Sequence, residues 1–175
     1  MKRLIGLWAL LLLLNSCDDG SLIIQKFNFD SAASVETCTD KDLFFKIKNK
    51  EALILAIPAT SFTNVVTPAD QPTEIVISAT NQVLYRLFDA NVANTYFCAN
   101  FPPATPQVIE EWKANYGVSG VSGIIQITTT AIVNTTTSAI TGYNHLIVFK
   151  NITFTKETNS FSYDTYTFGS YKTSI

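Results

Sequence analysis

From about position 22 onward, apolar residues recur in short runs cut by Asn, Asp, Gly and Pro, and within the runs they alternate with polar residues at the two-residue period of a strand. The pattern predicts strands over 22–29, 43–48, 52–57, 74–79, 83–88, 96–101, 124–133, 146–154 and 160–168. Leu43, Phe45 and Ile47 alternate with Lys46 and Lys48, as in a strand with one wet face, and Asn49-Lys50 offers a tight turn into the next strand. Gln126, Thr128 and Thr130 alternate with Ile125, Ile127 and Thr129 in the same way. The Thr/Ser-rich stretch 134–142 reads as a hairpin loop between two long late strands.

One segment has a different period. Val108, Ile109, Trp112 and Tyr116 fall on one helical face, with Thr105 as N-cap, Pro106 at the first helical position and Gly117 just past the end. This predicts a short α-helix around 106–116, plugging one end or edge of a β structure. The glycine-containing stretch 118–123 then serves as a connector. Short strands at this spacing point to a mainly β fold, an antiparallel β-sandwich, with a half-open β-barrel as the alternative. No internal repeat or boundary divides 22–175, so it reads as a single β domain.

The beginning of the chain follows other rules. Lys2 and Arg3 precede an apolar run, 4–14, that is shorter than the roughly 20 residues needed to span a bilayer and fits the hydrophobic region of an export signal. Leu14-Asn15-Ser16-Cys17 resembles the lipobox of bacterial lipoproteins, whose cysteine is acylated and becomes the mature N-terminus. The resemblance implies a signal peptide over 1–16 and lipidation (palmitate among the acyl chains) at Cys17, so that the partner is a membrane held through a lipid anchor. Several acyl chains are needed for stable anchoring, at about 0.8 kcal/mol per buried CH₂. Asp18, Asp19 and Gly20 follow, and an acidic tether of this kind, 17–21, is similar to the surface-export signal of Bacteroidetes and flavobacterial lipoproteins. The implied location is the bacterial cell envelope, on the outer membrane and facing outward. Asp30-Ser31-Ala32 resembles the O-glycosylation site of the same group, which implies a glycan on Ser31.

Composition narrows the function classes. The 175 residues are 47% hydrophobic and only 15% charged, which argues against a disordered chain, and a net charge of −2 with scattered lysines argues against nucleic-acid binding. One histidine and three cysteines leave too few soft ligands for most Cys/His metal sites. With Cys17 acylated, Cys38 and Cys98 are an even pair in an exported chain and are expected to form a disulfide; two buried thiols, or a thiol assisted by His145, are the alternatives.

The remaining chemistry is thin. His145 shares a strand face with Tyr143, Ile147 and Phe149, and no Gly-x-Ser-x-Gly elbow supplies a nucleophile for it. Glu110 and Glu111 point about 100° apart on the predicted helix, so a glycosidase pair would need Asp89 or Asp164 as second member. Asp40 and Asp42, near Glu36, are hard oxygen ligands but lack the spacing of a calcium loop. No glycine-rich phosphate cradle is present, so neither a cofactor nor a metal is expected. Asn134 and Asn151 open Asn-x-Thr sequons, which carry little weight in a bacterial chain. The C-terminal aromatics Phe161, Tyr163, Tyr166, Phe168 and Tyr171 either build the core or stack on a partner, and Tyr163, Tyr166 and Tyr171 are the candidate ligand contacts. The expectation is an envelope protein that binds or scaffolds, with a glycan or another envelope protein as partner, and is not an enzyme. A hydrolase of extracellular polymer and a purely structural assembly subunit are the alternatives.

Overall fold

The computed structural model describes residues 26–29 and 35–175. Nine strands follow in chain order: β1 (Glu36–Thr37), β2 (Phe44–Lys48), β3 (Glu51–Ala56), β4 (Thr73–Val76), β5 (Gln82–Phe88), β6 (Val108–Ala114), β7 (Ile124–Val133), β8 (Ile140–Lys156) and β9 (Asn159–Ser174). A five-residue helix, α1 (Asn94–Cys98), lies between β5 and β6. All pairings are antiparallel, in the order β1-β2-β3-β5-β6-β8-β7-β4, with β9 also on β8. The fold is mainly β and forms an antiparallel sandwich, not a closed barrel.

The length of β8 makes this topology possible. β9 pairs along nearly all of it, from Gly142 to Lys156, and so occupies one edge. The other edge is shared: β7 takes Ile140 to Lys150, and β6 takes Phe154 and Thr155. Between them Asn151 adopts a left-handed φ of 49°, and its side-chain amide donates to the Val121 carbonyl at 2.8 Å. The sheet can therefore change direction at Asn151, giving one layer of β1-β2-β3-β5-β6 and another of β4-β7-β8-β9. Between the layers lies the main core, with Phe44, Leu53, Leu55, Val83, Tyr85 and Trp112 on one side and Ile125, Ile127, Ile147, Phe149 and Phe168 on the other.

A second, smaller core covers the back of β2, β3 and β5. Phe45, Ala52, Ile54 and Phe88 meet Val92 and Phe97 there. Because β2 lies between two cores, Phe44, Phe45 and Lys46 are all buried, which corrects the expected wet face at Lys46. The Lys46 stem crosses β9 where a Cβ on Gly169 would come within 2.9 Å of its Nζ, so that position, at φ 141°, needs glycine.

The two elements between β5 and β7 depart from the sequence expectation. The helix expected around 106–116 is absent: Val108–Ala114 form strand β6. The open edge of β5 supplies backbone partners, Trp112 lies opposite Tyr85 and enters the core, and Arg86 meets Glu111 across the pair. Together these outweigh a weak helical period. Gly117 is no helix cap: an added Cβ would lie 2.3 Å from the Gly123 carbonyl oxygen. Conversely, Tyr96 belongs to helix α1, whose Phe97 fills the second core, so the strand expected over 96–101 is absent. The connector 118–123 is a tight turn closed by a Val118–Ser122 bridge. In the hairpin loop, Asn134 Oδ1 accepts the N–H groups of Thr136 and Thr137, and the strand resumes at Ile140. Residues 26–29 are not a strand, and 22–25 lie outside the described residues.

Candidate functional site

Cys38 and Cys98 are joined by a disulfide, with Cα atoms 5.2 Å apart. It fastens the loop after β1 to the end of α1, and three further contacts hold that loop. The Thr37 hydroxyl donates to the Leu43 carbonyl at 2.9 Å, Asp42 Oδ1 accepts the Ala59 N–H at 2.8 Å, and Lys41 Nζ donates to the Phe97 and Ala99 carbonyls at the end of α1. The Lys41 ammonium thus takes the place favoured by a helix C-terminus.

Beside this loop is a cavity of about 300 Å³, lined by residues 37–42 together with Phe44, Ala59 and Tyr171. Its volume is at the small end of ligand pockets, about 300–1,000 Å³. The Tyr171 wall is held firmly: its ring centre is 5.0 Å from those of Phe44 and Phe62. Two carboxylates, two hydroxyls and an aromatic wall provide acceptors, donors and an apolar surface within one concavity.

The three candidate tyrosines separate. Only Tyr171 reaches this cavity. Tyr166 is buried and accepts the Phe29 N–H at 3.0 Å, while Tyr163 donates to the Phe27 carbonyl at 2.7 Å and packs on the main core. Burial pushes the Tyr163 phenol up to about 12 and raises Tyr166 as well, so both phenols remain protonated at ordinary pH. As ligand contacts Tyr163 and Tyr166 are corrected: three positions apart, they would face opposite ways by alternation alone, but β9 changes phase over the exposed Asp164 and Thr165, across from the left-handed Asn151, and both rings turn onto Phe27.

His145 is fully buried between the Phe62 and Tyr171 rings. Its Nδ1 lies 2.9 Å from the Thr129 hydroxyl and its Nε2 3.0 Å from that of Thr173, which in turn donates to Asn64 Oδ1 at 2.6 Å. With the Thr173 proton directed to Asn64, Nε2 carries the histidine proton and Nδ1 accepts from Thr129. Burial lowers the His145 pKa and favours this neutral form.

Glu110 and Glu111 sit on a strand, so they face opposite sides of the sheet. Glu110 accepts from Trp112 Nε1 at 3.1 Å and pairs with Lys156 at 3.4 Å, whereas Glu111 pairs with Arg86 at 2.7 Å. Burial alone would raise the Glu111 carboxyl, but the hydrogen bond and charge of Arg86, with Lys113 behind, hold it below its ordinary value. Asp89 accepts the Gln107 N–H at 2.9 Å. Among the described residues no group of three or more His, Cys, Asp or Glu side chains converges as a metal site.

Cys17, the tether and Ser31 lie outside the described residues. Among those described, no helix is long and apolar enough to cross a membrane. No family model, curated protein or solved structure matches the chain. The cavity itself was only partly visible in sequence: Asp40 and Asp42 drew notice as cation ligands, and the signal for their actual setting was Cys38, which clips their loop to α1.

Proposed function

We propose that this protein is a lipid-anchored binding module of the bacterial cell surface, whose ligand is a glycan held in the cavity beside the Cys38–Cys98 disulfide. The carrying observation is the set of Asp40, Asp42, Thr37, Thr39 and Tyr171 in one pinned concavity. Carboxylates and hydroxyls match the alternating donors and acceptors of a sugar, and an aromatic wall matches its apolar C–H face. Anchoring is supported by the charged, apolar and Leu14–Cys17 pattern of the leader, and the outward-facing location by Asp18-Asp19-Gly20. The reading is one of binding rather than turnover, because His145 is engaged on both ring nitrogens inside the core and Glu110 and Glu111 diverge.

The test is a glycan array probed with residues 18–175. A saturable oligosaccharide hit is expected, weakened by Asp40→Asn and by Tyr171→Leu, which removes the aromatic wall, but little changed by Tyr171→Phe, which keeps it. A silent array with folded protein refutes the glycan reading, and recovery of an envelope protein in a parallel pulldown would replace it with assembly. In cells, Cys17→Ala should release the protein from the membrane fraction; unchanged association refutes the anchor.

A further inference from the structure

Residues 27–29 occupy the molecule in an unusual way. Phe27 and Phe29 are buried at 3% and 4% exposure, yet the segment belongs to no strand. The Phe27 ring lies between the layers, 4.8 Å from Tyr85 on one side and 5.0, 5.1 and 5.2 Å from Tyr163, Tyr166 and Phe154 on the other. Its main chain is met by side chains: the Tyr163 hydroxyl donates to the Phe27 carbonyl, Lys48 Nζ to the Asn28 carbonyl at 3.0 Å, and the Phe29 N–H donates to the Tyr166 hydroxyl. Asn28 is exposed between the two buried rings. This is the geometry of an extended peptide in a cleft, with backbone groups recognised and alternate side chains in pockets. The cleft residues come from Lys48 and Tyr85 as well as from Phe154, Tyr163 and Tyr166, the last three more than a hundred positions away in sequence, and only 30–34 connect the segment to Val35 at the start of the fold.

We propose that this cleft is a binding site for an extended Phe-x-Phe peptide, filled in one chain by its own Phe27-Asn28-Phe29 and, when copies exchange this segment, by that of a second copy. None of the contacts requires the segment to belong to the same chain, and the segment that fits is present on every copy. In cis the short connection sets an effective concentration of about millimolar, so exchange needs crowded copies or a severed connection. The dimer is then reciprocal, each cleft holding the other chain's segment.

The experiment uses the full chain with a specific protease site in place of 30–34. After cleavage, a fluorescent peptide of residues 23–31 is added and its anisotropy followed. Saturable uptake by the cut protein is expected, with none by the uncut protein at the same concentration, and a peptide carrying Phe27→Ser should bind about tenfold weaker or more. Tyr166→Phe, which keeps the ring and removes the acceptor for the Phe29 N–H, should weaken uptake without moving the global melting temperature by more than a few degrees. Two differently tagged full chains, without the protease site, should form a mixed dimer that grows with concentration and is suppressed by excess peptide. Unfolding on cleavage, or equal binding of both peptides, overturns the peptide site. Peptide uptake without a mixed dimer overturns exchange between copies.

Discussion

Breaking the Cys38–Cys98 bridge gives a prediction whose size follows from the fold. The bridge spans a sequence separation of 60, and in the chain-entropy model closing a loop of that length destabilises the unfolded state by about 4 kcal/mol. The native side of the balance changes little. Phe97 remains packed on Phe45 with ring centres 4.6 Å apart, and Lys41 still bonds the carbonyls at the end of α1, so the helix has other reasons to stay in place. The loss is therefore global rather than a local fraying of α1. For a chain of 150–250 residues each kcal/mol moves the melting temperature by about 2–4 °C, so Cys38→Ala with Cys98→Ser should melt roughly 8–16 °C below the oxidised protein. Calorimetry of oxidised protein, reduced protein and double variant provides the assay, and the last two should agree. A fall of less than about 3 °C, together with faster amide exchange confined to α1, would show that the bridge secures the helix locally and would refute the loop-closure reasoning.

Other predictions concern single contacts. His145 is the only histidine, and burial lowers its pKa. The unfolded chain takes up its proton first, so stability should be fully present above pH 6.5 and fall as pH drops below it. Denaturation in urea between pH 5 and 7 should show that slope in the native protein and lose it in His145→Gln; a slope retained in the variant would sink the assignment. Gly117→Ala forces a Cβ to within 2.3 Å of the Gly123 carbonyl oxygen and should cost at least about 2 kcal/mol by urea titration, a cost that a surface-turn alanine would not show. Glu111→Gln removes the partner of Arg86, with both side chains under a third exposed, and should cost about 1 kcal/mol at neutral pH. Because the Glu111 carboxyl is held below its usual 4.5, that contribution is present above 4.5 and lost as pH falls through the lowered value; a double-mutant cycle with Arg86→Gln measures it.

Much of this molecule is determined by local sequence. Alternation placed the strands at 43–48, 52–57, 83–88 and 124–133 close to their observed bounds, because a strand with a core side must repeat every two residues whatever it pairs with. The cysteine pair was legible for a similar reason: with Cys17 set apart by its resemblance to a lipobox, the two remaining cysteines have one pairing. Tertiary structure decided the elements whose local signals were ambiguous. Residues 108–114 carry a helical period, yet the unpaired edge of β5, the Arg86–Glu111 pair and the Trp112 slot in the core make them a strand. Tyr96 and Phe97 suggest a strand until the second core calls for a lid, which α1 provides. Lys46 alternates as a wet residue and is buried because β2 has a core on both faces, a fact no local pattern holds. The candidate site divides in the same way. Tyr171 was legible as a possible contact, but its separation from Tyr163 and Tyr166, and its meeting with Asp40 and Asp42 across 130 residues, depended on where β9 crosses β1 and the disulfide loop. Composition and period constrain which way a side chain points; only the packed sheets determine what it meets there.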